Sequence, residues 1–177
     1  MNVLQHFHTI TRHKLLVMKE CFQVGLYKQG LLHDLSKYTW TEFSVGCRYY
    51  QGTRSPNNAE REVIGYSSAW LHHKGRNKHH YEYWIDYGTD GDGKMVGMEM
   101  PVCYVVEMFL DRIAACKIYM GSAYTDDAPL DYFMKGKGHY LMHEKTEDLL
   151  ESLLRMLADQ GEAKTFDFVK NVLLKCE

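Results

Sequence analysis

Adjacent His33 and Asp34 are the sharpest chemical feature of the chain. An imidazole nitrogen and a carboxylate oxygen are both ligands for a divalent transition ion. His13 lies upstream and Asp111 downstream, each inside a stretch whose apolar residues recur at helical spacing. A histidine or an aspartate carried inward by an apolar helix needs a reason for its burial. A divalent cation supplies one, because it pairs the charge that burial leaves unpaired. Mixed nitrogen and carboxylate donors suit Mn, Fe, Co, Ni or Zn and leave the choice open.

A second cluster falls between them. The run Trp70 to Glu82 contains His72, His73, His79 and His80. His73 is the favoured ligand, because it ends a helix whose apolar face includes Val63, Ile64 and Trp70. His80 is its favoured partner, with His79 next and His72 behind. Two metals a few ångströms apart would clamp a phosphate and lower the pKa of a water between them. Against these readings stand plainer ones: a helix cap for His33-Asp34, an Asp111 ion pair with Arg112 or Lys117, and a polar surface loop for the histidine run. His139 and His143, spaced i, i+4, read as a surface pair.

The order His13, His33-Asp34, His73, His80, Asp111 resembles the HD-domain superfamily of metal-dependent phosphohydrolases. The segment His33-Asp34-Leu35-Ser36-Lys37 is similar to that family's His-Asp-x-Gly-Lys, with Ser36 where the family has glycine. Gly30 to Lys37 and Asn77 to Trp84 together resemble a small bacterial and phage family of HD-like proteins. The resemblance covers roughly residues 10 to 120. It implies a helical fold, one or two bound divalent metal ions and hydrolysis of a phosphoester. It further implies metal ligation by His13, His33, Asp34, His73, His80 and Asp111.

Roles for the neighbouring residues follow from their chemistry. Lys37 would stand beside the metal and hold a phosphate or carboxylate of the substrate. Its plain alternative is a solvated charge at a helix end. Lys74, Arg76 and Lys78 lie near the histidine run and would bind further phosphates. Asp34 would bridge metals or orient the attacking water. Glu82 would act as acid or base, or hold a ligand histidine by its other nitrogen. Glu107 precedes Asp111 by one helical turn and would support a ligand from behind.

The elements that must position these groups read as all-α, with at most a small β-hairpin near residues 83–97. Helical periodicity runs from about Val3 to Tyr27. A short helix then carries Leu31 to Leu35. Thr39 and Glu42 make a capping-box pattern before a helix to about Tyr50. Asn57 and Glu60 repeat it before a helix to about Lys74, with Gly75 as its stop. Turn signals at Asp90-Gly91 and Asp92-Gly93 mark the hairpin. Pro101 suits the start of a helix over about 101–122. Ala128-Pro129 reads as connection, and C-terminal helices cover about 139–175 with Gly161 between them. No linker parts the chain, so residues 1–177 read as one domain, with a motif-bearing core at about 10–120.

Composition narrows the classes. The chain has 177 residues, 45% of them hydrophobic, enough for a core of its own. A formal net charge of -2 gives no strong nucleic-acid signal. Its apolar runs fall short of the ~20 residues of a membrane span, and no secretory leader is visible. The 5 cysteines are odd in number and form no CxxC, so reduced thiols in the cytoplasm are expected. The first expectation is a phosphohydrolase acting on a nucleotide or another small phosphorylated metabolite through a metal-activated water. The alternatives are a di-iron oxygenase of the HD-type fold and a non-catalytic metal-containing module that binds a nucleotide. The oligomeric state, homo-oligomer included, stays open.

Overall fold

Ile10, Val17, Cys21 and Val24 share one face of a helix, α1 (Val3–Val24), and turn it inward. The computed structural model describes residues 2–91 and 93–175; Asp92 of the expected turn, and Cys176, lie outside them. Helix α1 stops at Val24, short of Tyr27, because Gly25 enters the left-handed region at φ 92°. The Leu26 N–H then bonds the Cys21 carbonyl at 2.8 Å, closing the helix end.

Helix α2 (Tyr27–Leu32) packs back along α1. Gly30 permits that approach: a Cβ there would lie 2.9 Å from the Cys21 Cβ and 3.2 Å from the Met18 Cα. A 3₁₀ turn (Leu35–Tyr38) leads to α3 (Trp40–Tyr49). The single helix expected up to Lys74 is two, α4 (Pro56–Ile64) and α5 (Ser68–Lys74). Gly65 at φ 84° breaks it, and Ser67 starts a new helix by accepting the Trp70 N–H at 3.0 Å. The first of the two is capped by Ser55, not Asn57. Glu60 reaches forward instead, accepting the hydroxyls of Ser67 and Ser68 at 2.6 Å each.

Strands β1 (Ile85–Tyr87) and β2 (Met95–Gly97) form the expected hairpin, antiparallel in the register Ile85↔Gly97, Asp86↔Val96, Tyr87↔Met95. Helix α6 (Val102–Met120) follows Pro101 and carries Val105, Val106, Phe109, Leu110, Ile113 and Ala114 into the core. Burying one such side chain contributes roughly 1.5–3 kcal/mol. The stretch read as connection contains α7 (Ala128–Gly136), which opens on Pro129 in its first turn and buries Phe133 completely. Helix α8 (Glu144–Asn171) supplies Leu150, Leu153, Leu154 and Leu157 to the same core. Gly161, at φ 79° and ψ 168°, kinks it where a stop was expected.

The chain is therefore all-α with one small hairpin. Among the described residues, no helix is long and apolar enough to cross a membrane.

Candidate metal centre

The helix read as carrying His33 and Asp34 ends before them. α2 stops at Leu32, His33 follows in an extended conformation, and Asp34 takes φ 54°. Asp34 is the one non-glycine residue with positive φ among those described. Neighbours on a helix diverge by about 100°. Leaving the helix lets both side chains turn into one buried space, where His33 is 2% and Asp34 1% exposed. Positive φ in a non-glycine residue is uncommon, and aspartate is among the residues that tolerate it.

α1 brings His13 and α6 brings Asp111 to the same space. His13 Nε2 lies 2.9 Å from Asp111 Oδ1 and 3.5 Å from Asp34 Oδ2. His33 Nε2 lies 3.2 Å from Asp34 Oδ2 and 3.5 Å from Asp111 Oδ1. One ligand atom from each of these four residues falls within 4.8 Å of every other. Arg112 and Lys117 do not take Asp111 in an ion pair. The Arg112 guanidinium lies over the Phe133 and Tyr140 rings, and Lys117 bonds Glu20 and Glu162.

On the other side of the Asp34 carboxylate, Oδ1 lies 3.2 Å from His73 Nε2 and 3.5 Å from His79 Nε2. Asp34, His73, His79 and His80 form a second group whose ligand atoms lie within 4.8 Å of one another. Both favoured histidines of the Trp70 to Glu82 run are thus present, and His79 joins them. The two groups share Asp34, with Oδ2 toward the first and Oδ1 toward the second.

Carboxylates hold the imidazoles from behind. Glu107 Oε1 lies 2.9 Å from His33 Nδ1 and 3.1 Å from His79 Nδ1. Glu42 divides its oxygens, Oε2 to His73 Nδ1 at 2.8 Å and Oε1 to His72 Nδ1 at 2.6 Å. An imidazole that donates from Nδ1 to a carboxylate presents its Nε2 lone pair to a metal. Glu42 therefore leaves the expected capping box. The Thr39 side chain does not cap α3; its hydroxyl donates to the Ser36 carbonyl at 2.7 Å. Ser36, which stands where the resembled segment has glycine, bridges His73 Nδ1 at 3.1 Å and the Asn77 amide at 2.8 Å. No motif in the sequence marks Glu42, Ser36 or Asn77 as parts of this site. A glutamate facing two histidines across loops leaves no local spacing to find.

The electrostatics follow the crowding. Burial alone would raise the Asp34 pKa, but His33, Lys37 and His73 hold it well below the usual carboxylate range. Burial also opposes the charged form of His33, and Asp34, Asp111 and Glu107 outweigh it and raise that pKa. His80 is pushed far down by burial and by His79 and His73 beside it, so it is neutral, as a ligand imidazole must be. The Lys37 ammonium sits on Asp34 Oδ2.

The remaining predicted residues are placed less centrally. Lys78 lies over the Tyr83 and Tyr104 rings, and Arg76 bonds the His72 carbonyl at 3.4 Å. Neither is directed into the two ligand groups, because their long side chains find aromatic faces and a helix end nearer by. Lys74 is half-buried at the end of α5. Glu82 belongs to neither group, yet its Oε2 is buried without a hydrogen bond. His139 is exposed, and His143 caps α8 by accepting the Lys145 N–H.

The buried polar atoms decide what the cluster can hold. Nε2 of His13, His33, His79 and His80, and Oδ1 of Asp34, are buried and make no hydrogen bond. Such atoms normally find partners, since an unsatisfied buried group costs about 1–3 kcal/mol. Close imidazole and carboxylate atoms aimed at common points, without hydrogen-bond geometry, fit a divalent cation. The clusters can therefore hold metal ions.

Comparison with known proteins adds a family. Residues 2–156 match the model of a family of unknown function, DUF5662. The chain belongs to the DUF5662 family. No curated protein and no solved structure matches it. The DUF5662 match runs from α1 into the first half of α8 and so includes every residue of both ligand groups.

Proposed function

We propose that this protein is a metal-dependent phosphohydrolase with an HD-like two-metal centre, acting on a nucleotide or another small phosphorylated metabolite. The observation that carries the reading is the Asp34 carboxylate, whose oxygens face two separate ligand groups while Lys37 stands beside them. Two divalent ions, with manganese, iron, cobalt, nickel and zinc all compatible, would polarise a phosphoryl oxygen and activate a water.

The chain's own side chains supply the rest. Asp34 joins the two halves of the site and fixes their separation. Glu107 and Glu42 orient His33, His79 and His73 so that each imidazole presents Nε2. Lys37 moves its ammonium from Asp34 onto a phosphoryl oxygen and offsets charge as the ester bond breaks. Glu82, two residues beyond His80 and with a buried oxygen lacking a partner, takes the proton that the attacking water gives up and passes it to the leaving oxygen. The thiols of Cys21 and Cys47 are buried and unpaired, which agrees with a cytoplasmic setting.

The test is reconstitution. Protein stripped with a chelator is reloaded with manganese, cobalt or iron and offered a panel of phosphomonoesters and nucleotides. The expected result is metal-dependent phosphate release that Asp34→Asn abolishes. Phosphate release equal in Asp34→Asn and the parent would overturn the reading. Oxygen consumption by the iron-loaded protein, without phosphate release from any substrate, would replace it with the di-iron oxygenase.

A further inference from the structure

Lys14 follows His13 on α1 but does not enter the ligand groups. Its ammonium reaches the C-terminal end of α2, donating to the Leu31 carbonyl at 2.8 Å and to the His33 carbonyl at 3.1 Å. The last carbonyls of a helix have no partner within it and carry its partial negative charge. A lysine that meets two of them supplies both hydrogen bonds and the matching charge.

One of these carbonyls matters more than the other. The His33 carbonyl belongs to the peptide that joins His33 to Asp34, the two consecutive ligands. Beyond that peptide the chain enters positive φ at Asp34. Conformations of this kind are costly outside glycine and persist when their surroundings over-determine them. Three contacts do so here. The His33 N–H bonds the Gln29 carbonyl at 2.7 Å, and the Asp34 carbonyl accepts the Lys37 N–H at 3.0 Å. Lys14 fixes the peptide between them from outside. Because His13 is its neighbour, one turn of α1 both provides a ligand and sets the ligand turn of the next segment.

We propose that Lys14 is a positioning residue for the metal centre, holding the His33–Asp34 peptide in the orientation that aims both side chains at the ions. The inference rests on reading His33 and Asp34 as metal ligands, but not on the reaction. Asp34 belongs to both groups, so tilting its peptide disturbs both ions together. His80 belongs to one group, so losing its ring disturbs one ion.

The experiment titrates the chelator-stripped full chain with manganese and with cobalt, for the parent, Lys14→Met, Lys14→Arg and His80→Ala. Metal content, affinity and the cobalt absorption spectrum are read, with thermal melting of each metal-free protein alongside. Lys14→Met is expected to weaken both ions about tenfold, the scale of losses around metal ligands. It should alter the cobalt spectrum and leave metal-free melting close to the parent's. Lys14→Arg, which keeps donors at similar reach, should restore most of the affinity, while His80→Ala should weaken one ion only. Parent-like metal affinity in Lys14→Met would overturn the proposal. So would a metal-free melting loss large enough to account for the weakened binding, or an Arg variant no better than Met. A parent that binds neither metal overturns the ligand reading and this proposal together. A parent that binds metal but releases no phosphate counts against the proposed reaction alone.

Discussion

Glu107 Oε1 lies 2.9 Å from His33 Nδ1, behind the ring and away from the atoms that face Asp34. The same oxygen lies 3.1 Å from His79 Nδ1, so one buried carboxylate orients an imidazole of each ligand group. Glu107→Gln keeps the shape but gives up the charge, so the single oxygen that meets both rings accepts from each more weakly. Metal affinity should fall by about 10–100-fold at both positions. Isothermal titration of the stripped protein with manganese measures it. A variant that loads like the parent would remove Glu107 from the support of the site.

His79 and His80 are neighbours with different attachments. His79 has Glu107 behind its Nδ1 and Asp34 Oδ1 at 3.5 Å from its Nε2. His80 is half-buried among rings, 4.2 Å from His79 and 4.8 Å from His73 between centroids. His79→Ala should lower metal content by one ion per chain and weaken the ion that remains, since Glu107 loses one of its two partners. His80→Ala should affect one ion and spare the other. Metal stoichiometry after gel filtration separates the two. Equal behaviour of the variants would show that Glu107 does not link the groups.

Lys37 is held by burial, which disfavours its charge, and by Asp34 and Asp111, which restore it and raise its pKa. About 28% of its side chain is still exposed, so an arriving substrate can reach the ammonium. Lys37→Ala should retain both metals while kcat/KM for a phosphoester falls by roughly 10²–10³, the range for losing one charge-stabilising donor. Steady-state kinetics on the loaded protein, with metal content measured on the same sample, tests this. Loss of metal alongside activity would give Lys37 a structural task in place of a catalytic one.

Much of this arrangement was legible from residue types alone, and the remainder was not, for physical reasons. His13 and Asp111 were legible because polar groups carried inward by apolar helices need a partner, and His33-Asp34 as an adjacent pair of metal-binding types; the structure gathers all four. The hairpin and the helix after Pro101 were also readable, since turn residues and proline act locally. The break at Gly65 was not, because an isolated glycine lowers helix stability without dictating a stop. Glu42 fits a cap by local spacing, but its pairing with His72 and His73 is tertiary and leaves no such mark. The left-handed turn at Asp34 has no sequence signature beyond aspartate's tolerance for it, so helical periodicity ran through a point where the helix ends.

Gly46 offers a test of packing near the site. The His6 ring occupies the space where a Cβ on Gly46 would stand. Burial, with Lys37 nearby, lowers the His6 pKa to about 4, so the ring packs uncharged against the Phe43 and Tyr50 rings. Gly46→Ala should destabilise the protein by about 1–3 kcal/mol through overpacking. In the double variant His6→Ala/Gly46→Ala the two losses should be less than additive, because removing the ring vacates the contested space. Urea unfolding of the four proteins measures the coupling. Full additivity would mean that ring and methyl do not compete.

Glu20 makes stability depend on pH in a direction that can be worked out. It is 2% exposed, and burial pushes its pKa from 4.5 up to about 7, although Lys117 at 2.9 Å pulls the other way. Between those two values the folded protein keeps a proton that the unfolded chain has released. The contribution is therefore complete below pH 4.5 and is lost as pH rises through about 7. A shift of that size corresponds to about 3 kcal/mol at most, since the charge on Lys117 moves with it. Glu20→Gln cannot ionise, so its stability relative to the parent should improve from pH 5 and level off above about pH 7. Denaturant unfolding of the metal-free proteins across that range reads the difference. A gap between variant and parent that stays constant with pH would mean that Glu20 folds in as an ordinary carboxylate.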